Sequence, residues 1–355
     1  MNIAIDCRLW DQGGVGRYIR NLVYWLQRLD TQNSYTLFTY DNPNIQLENP
    51  RFHIRPVSSR WHSLSEQTVF FYNLLKERAD LVHFPYFSHP ILYNRPFVIT
   101  LHDITPLIHA TGQATTRHPL LYTVKREGYR QTLMHALYHS KHILVPTNAV
   151  AQAMRTIYKE TPITVTYEGV DESLAHTKPV PVVGVKEPFL LYVGNFFPHK
   201  NIPFLLESYA QASATLKLIL VGPNDLFAQR MREYVHSLNL EKRVLFLHAV
   251  TDGQLRYLYA HAQALLFPSK SEGFGLPILE ASYFGCPLIV SSIPSFKEIA
   301  PVGTTFFDPS NKESLVRALQ HPMHHQRVPY PPEHREKFTF ENMAKKTLAI
   351  YNTSV

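Results

Sequence analysis

The sequence predicts an α/β protein built from two doubly wound domains, and three observations predict it. Short β-rich runs alternate with helical patterns along most of the 355 residues, the rhythm of mostly parallel strands covered on both faces. That rhythm breaks over 171–188 (DESLAHTKPVPVVGVKEP), where three prolines precede Phe189 with neither helical nor strand period, so the stretch reads as a linker. The length exceeds one ordinary core and suits roughly two domains.

The elements follow in order. Residues 2–7 (NIAIDC) read as a strand that runs into the glycine-bearing loop DQGGVG. A helix fits 15–29, because Val15, Tyr18, Ile19, Leu22, Leu26 and Leu29 share one face. Further strands fit 35–40, 80–84, 96–101, 142–146 and 163–167, with helices near 64–78, 120–139 and 148–159. Beyond the linker, strands fit 189–194, 216–221, 243–247, 263–267, 287–291 and 304–307. Helices fit 201–213, 225–238, 252–262, 276–285 and 310–320, and a last amphipathic helix fits 340–352 after a polar connector, 321–334. The expected domains are 1–172 and 188–331, joined by a linker at 173–187 and followed by a closing segment at 332–355. Ligands of open α/β sheets sit at the carboxyl ends of the strands. Two Rossmann-like domains facing each other would therefore place a site in the cleft between them.

Composition narrows the partners. The chain is 45% hydrophobic and 18% charged, hence globular rather than disordered. It is basic, with a formal charge of +7, a pI of about 9.2 and 19 histidines, but the charge is dispersed. HSKH, KREGYR and EKR are the densest stretches, and none is a run of five like charges. Such a surface is either simply solvated or attracts nucleic acid, anionic lipid or phosphorylated small molecules, and of these functional readings peripheral contact with an anionic inner membrane surface suits it better than RNA or DNA. MNIAID reads as a strand with no signal peptide before it. No apolar run approaches the roughly 18 residues of a spanning helix, so a cytoplasmic location is expected. Cys7 and Cys286 match no disulfide or metal spacing. No Asp-x-Asp pair is present to hold a divalent cation, and the HPMHH histidines at 321–325 sit in the polar connector and read as surface.

The strongest local signal is SEGFGLPILEASYFGCPLIVS, 271–291. A glycine-rich turn follows a strand and enters a helix, an arrangement that binds anions through free backbone N–H groups. Glu272 and Glu280 flank that turn with seven residues between them. A carboxylate among backbone donors suits sugar or ribose hydroxyls, because it accepts two hydrogen bonds. The competing reading is a capped helix with Glu280 on its solvent face.

These glutamates in EGFGLPxLE, followed by Ala281, Gly285 and Pro287, resemble the retaining glycosyltransferases of family 4, of GT-B architecture. YVGNFFPHKN (192–201), LILVGP (218–223), VTDGQLRYLYAHAQALLFPS (250–269), GGVGRYIRNL (13–22), LHDITPL (101–107) and YEGVD (167–171) resemble further signatures of that family in the same order. The resemblance implies that Lys200 neutralises the donor diphosphate and Glu280 binds the ribose. Glu272 would hold the transferred sugar with the backbone N–H groups of Phe274, Gly275 and Leu276. Val250 and Asp252 would contact the base, with Asp252 also a natural helix N-cap. His102 would touch the sugar, Asp103 would orient its loop, and Gly13 and Gly14 would let backbone approach the diphosphate. Arg17 faces either phosphate or solvent. The family commonly has an arginine near its Lys200 equivalent, where this chain has Asn195 and His199. A second cation on the diphosphate therefore comes from His199, from Arg17 or from neither.

The closing helix is implied to pack back on the N-terminal domain, which takes the acceptor. The resemblance implies a metal-independent transfer of a hexose, mannose above all, from a nucleoside diphosphate sugar such as GDP-mannose to a lipid-linked or surface saccharide. The closest likeness is to bacterial mannosyltransferases of surface polysaccharide synthesis, and no cofactor is implied. The alternatives are a non-catalytic nucleotide-sugar-binding protein, which need not keep Glu272 or His102, and a sugar-nucleotide epimerase, which would lack this glutamate loop.

Overall fold

The computed structural model describes residues 1–40, 45–103, 119–212, 215–320, 327 and 329–355, with the backbone alone over 119–126. The HPMHH histidines and the part of LHDITPL after Asp103 lie outside them. The chain forms two compact units. One gathers the described residues up to Gly169 together with Phe338–Val355, and the other is Val170–Lys337.

The first unit holds seven strands: β1 Asn2–Asp6, β2 Ser34–Thr39, β3 Phe52–Pro56, β4 Leu81–Phe84, β5 Phe97–Thr100, β6 His142–Val145 and β7 Ile163–Val165. They pair in the order β3-β2-β1-β4-β5-β6-β7, every pairing parallel, with Ile3 opposite both Tyr35 and Leu81. The central strands are buried on both faces, which is why they read as continuous apolar runs rather than alternations. The helix Gly13–Leu29 lies against the closing helix Phe340–Thr353. Tyr351 of that closing helix bonds His83 Nδ1 at 2.5 Å. Gly169 in YEGVD adjoins the start of the same helix; a Cβ there would stand 2.6 Å from the Phe340 nitrogen, so only glycine fits.

The second unit holds six parallel strands: β8 Phe189–Val193, β9 Lys217–Val221, β10 Val244–Leu247, β11 Ala264–Phe267, β12 Leu288–Ser291 and β13 Thr305–Phe307. Their order is β10-β9-β8-β11-β12-β13.

The structure corrects the sequence reading in three places. β3 was not expected, because FHIRP is a half-buried edge strand with polar His53 and Arg55 and shows no apolar run. The stretch read as a featureless linker holds a helix, Glu172–His176, capped by the Asp171 side chain, and packs on its own unit through Val180 N to Gly253 O at 2.9 Å. Pro294–Ile299 and Pro332–Lys337 are helical too, each too short to display a period.

Candidate active site

In the second sheet the strand order reverses between β8 and β11, the point where an open α/β sheet receives a ligand. The segments leaving those two strands carry Lys200 and Glu272. A 3-10 turn, Pro198–Lys200, ends at Asn201 in the left-handed region, φ 61°, and Asn201 Nδ2 bonds the Pro309 carbonyl at 3.0 Å. The Lys270 N–H donates to the His199 carbonyl at 2.8 Å, clamping the two segments side by side. Lys200 Nζ and Glu272 Oε1 form an ion pair, and Ser269 Oγ donates to the same oxygen at 2.7 Å. Beyond it, Gly275 precedes the helix Leu276–Tyr283 with φ 112°. A Cβ on Gly275 would meet the Phe296 ring at 2.9 Å, so the turn needs glycine for conformation and for space. Phe274 and Gly275 are buried beside this helix start, and Leu276 is partly exposed.

Glu280 is not on a solvent face. It is 3% exposed and accepts a hydrogen bond from the Tyr259 hydroxyl at 2.8 Å, which aims a buried carboxylate within the helix that starts the site. Asp252 does not cap its helix. Thr251 does, in a reciprocal capping box with Gln254, and Asp252 instead accepts from Ser173 Oγ, tying the segment after Val170 to this helix. Val250 is partly exposed just beyond β10. Asn195 Oδ1 accepts from the Phe197 N–H at 3.4 Å. His199 sits in the turn beside Lys200 and contributes its backbone carbonyl to the clamp.

The remaining expected residues lie in the first unit. His102 follows β5, with Nδ1 3.1 Å from Glu168 Oε1 and Nε2 3.0 Å from the Pro85 carbonyl. Tyr18 meets its ring edge-on, centroids 4.7 Å apart, and donates to or accepts from Thr100 Oγ1 at 3.0 Å. Both imidazole nitrogens are thus held, and any contact of His102 with a sugar would have to exchange one of these bonds. Asp103 is partly exposed beside it. Gly13 and Gly14 are exposed at the start of their helix, and Arg17 is partly exposed one turn on. The glycine this motif cannot do without is Gly16: a Cβ there would stand 2.3 Å from the Trp10 carbonyl oxygen. Sequence reasoning missed Glu168, Ser269 and Tyr259 as partners of the site. Each lies inside a signature, but only the fold shows what it touches.

Two family models match, end to end. Residues 12–174 match glycosyltransferase family 4 and residues 177–342 match glycosyl transferases group 1. The chain belongs to the GT-B glycosyltransferases. Among relatives, the O-antigen chain mannosyltransferase RfbU of Salmonella typhimurium is 32% identical over 235 residues, 64% of this chain and 65% of that protein. The match therefore spans just under two thirds of the relative's length. Sucrose-phosphate synthase from Thermosynechococcus elongatus shares the fold with a TM-score of 0.79 at 20% identity, over 99% of this chain and 98% of its own. HepE of Anabaena, solved with UDP and glucose, shares it with a TM-score of 0.76 at 17% identity, over 99% and 100%. Within this GT-B chain, the group 1 match covers Lys200, Glu272 and Glu280, and the family 4 match covers His102 and Glu168.

Proposed function

We propose that the chain is a retaining, metal-independent hexosyltransferase that moves mannose from GDP-mannose to a hydroxyl of a lipid-linked or surface saccharide. The observation that supports it most is the set at the reversal point of the second sheet: a lysine, two carboxylates and a glycine turn opening a helix. A cation beside a glycine turn that opens a helix suits a diphosphate, and the carboxylates suit hydroxyls of ribose and sugar. RfbU, by its name, is a mannosyltransferase of O-antigen chains, which supports mannose as the cargo.

In the proposed reaction the acceptor oxygen bonds the anomeric carbon on the face that the diphosphate leaves. The bond from that carbon to the phosphate oxygen breaks, and the acceptor proton passes to that departing oxygen. Configuration is retained and GDP is released. Protein groups supply position and charge stabilisation rather than a nucleophile. The enzyme would work against the cytoplasmic side of the inner membrane, where an anionic surface meets the basic chain.

Calorimetric titration with GDP and UDP tests this reading. GDP should bind, more tightly than UDP, with excess chelator present, and the product of GDP-mannose should keep the anomeric configuration on NMR. Binding of neither nucleotide, or a metal requirement restored by adding the metal back, would overturn it.

A further inference from the structure

We propose that the carboxyl edge of the first sheet carries a stacking site for an uncharged sugar ring, walled by Trp61, His62 and Tyr86. It rests on the transferase reading for the identity of its ligand, the acceptor saccharide. Its residues come from the geometry of the first unit alone.

The place is set by topology. In the order β3-β2-β1-β4-β5 the strand sequence reverses between β1 and β4, the ligand position of an open sheet. Segments leaving β2, β3 and β4 converge there. The Trp61 N–H donates to the Tyr40 hydroxyl at 2.8 Å. The Trp61 ring lies 3.7 Å from His62 and 5.1 Å from Tyr86, centroid to centroid. Phe87 is buried behind them, 4.4 Å from Tyr86 and 4.3 Å from Tyr129, while Trp61, His62 and Tyr86 keep exposed surface.

Three features separate this wall from an ordinary patch of core. His62 is held in the left-handed region, φ 55°, which is uncommon outside glycine although histidine enters it more readily than most, and such residues are enriched at ligand sites. Here Glu66 Oε2 accepts its N–H at 3.3 Å and Ser88 Oγ meets its Nδ1 at 3.3 Å. Trp61 Nε1 is shielded from water and has no hydrogen-bond partner among the described residues, so it can donate to a ligand oxygen only once the side chains that cover it part. The buried cation at this edge is also engaged. Arg8 is fully buried and divided between Asp6, at 2.7 and 2.9 Å, and Glu66, at 2.6 Å. That guanidinium is spent on two carboxylates within the unit rather than turned toward a ligand.

A pyranose fits that environment. Its C–H face packs on an aromatic ring, leaving its rim of hydroxyls to the polar border of the wall.

The test labels the full chain with fluorotryptophan. Its three tryptophans, Trp10, Trp25 and Trp61, give three fluorine resonances, with Trp61 assigned through Trp61→Phe. The probes are the methyl glycosides of mannose, galactose, glucose and rhamnose at high millimolar concentration. At least one should move the Trp61 resonance and leave Trp10 and Trp25 in place. No movement with any glycoside, or equal movement of all three resonances, overturns the proposal. In transfer assays Trp61→Ala should raise the acceptor KM about tenfold while kcat stays within about twofold. A fall in kcat at unchanged KM overturns it. His62→Gly relieves the backbone strain while removing a ring, so it should fold and also raise the acceptor KM; an unchanged KM counts against the wall. Nucleotide calorimetry on the unlabelled protein reads the transferase assignment separately, so either can fail without the other.

Discussion

The ion pair between Lys200 and Glu272 joins two residues expected to do different work, one on phosphate and one on the sugar. Each is only slightly exposed, and a buried pair broken by removing one partner leaves the other charge uncompensated. That asymmetry gives the two substitutions opposite signatures. Glu272→Gln removes the neutralising charge from Lys200, so GDP should bind at least as tightly as to the parent. Transfer should lose on the order of 2–4 kcal/mol of transition-state stabilisation, because the sugar loses its carboxylate. Lys200→Ala should weaken GDP by roughly tenfold or more, about 1.4 kcal/mol, with little effect on the nucleoside. Calorimetry with GDP and guanosine, beside initial rates, separates these outcomes. If Glu272→Gln weakened GDP as much as Lys200→Ala does, the pair would be a structural clamp and the division of roles would be wrong.

Much at the scale of strands and loops was legible in the sequence, because a parallel strand buried on both faces must be continuously apolar and a glycine turn opening a helix leaves a motif. Glu272 and Glu280 stand out for that reason, whereas Lys200 and His102 come through the family resemblance. What could not be read is contact between distant segments. Nothing local says that Lys200 meets a residue 72 positions away, that Tyr259 holds Glu280, or that Glu168 holds His102. β3 escaped because an edge strand tolerates His53 and Arg55, and Thr251 took the cap from Asp252 because Thr251 also had Gln254 three residues on. Two strand-end histidines carry a consequence at this scale. His83, in β4, sits between Tyr351 and Thr100, and His89, just after it, between the Phe87 carbonyl and His135. Burial holds both well down, each at about 3, from an ordinary value of 6.5. Both stay neutral when folded, whereas the unfolded chain takes up their protons below about pH 6.5. Their stabilisation is therefore complete above that pH and lost progressively as pH falls toward about 3. Urea unfolding from about pH 7.5 to about pH 4.5 should show the loss, and His89→Gln should make the slope shallower. An equally steep slope in that variant would mean that His89 is protonated in the folded protein.

Over the whole molecule, a charge of +7 at a pI of about 9.2 has to be read together with where apolar surface is exposed. The proposed membrane contact is a peripheral one, and among the described residues no helix is long and apolar enough to cross a membrane. One surface of the first unit suits it. Leu64, Val69, Tyr72 and Leu92 are exposed by 85%, 47%, 64% and 64%. The loop bearing Leu92 is fastened along the helix bearing Tyr72, through Ile91 N to Gln67 Oε1 at 2.8 Å and Arg95 to the Leu75 carbonyl at 3.2 Å. Arg60, Lys76, Arg78 and Arg95 are exposed on the same segments. Exposed apolar side chains with basic ones on the same segments bind an anionic lipid surface by insertion and by charge together, and each basic group near the surface contributes about 1 kcal/mol. Leu64 is also only three positions from Trp61, so a saccharide carried on a lipid in that surface would be presented beside the aromatic wall. The chain should therefore float with vesicles containing phosphatidylglycerol and not with phosphatidylcholine alone, and binding should weaken steeply as salt is raised, because exposed charges are screened within about 8 Å at physiological ionic strength. Val69→Glu with Tyr72→Glu should abolish flotation without altering the affinity for GDP, since both residues lie outside the unit that holds Lys200. Flotation that ignores lipid charge, or that survives both substitutions, would place the membrane contact elsewhere on the chain.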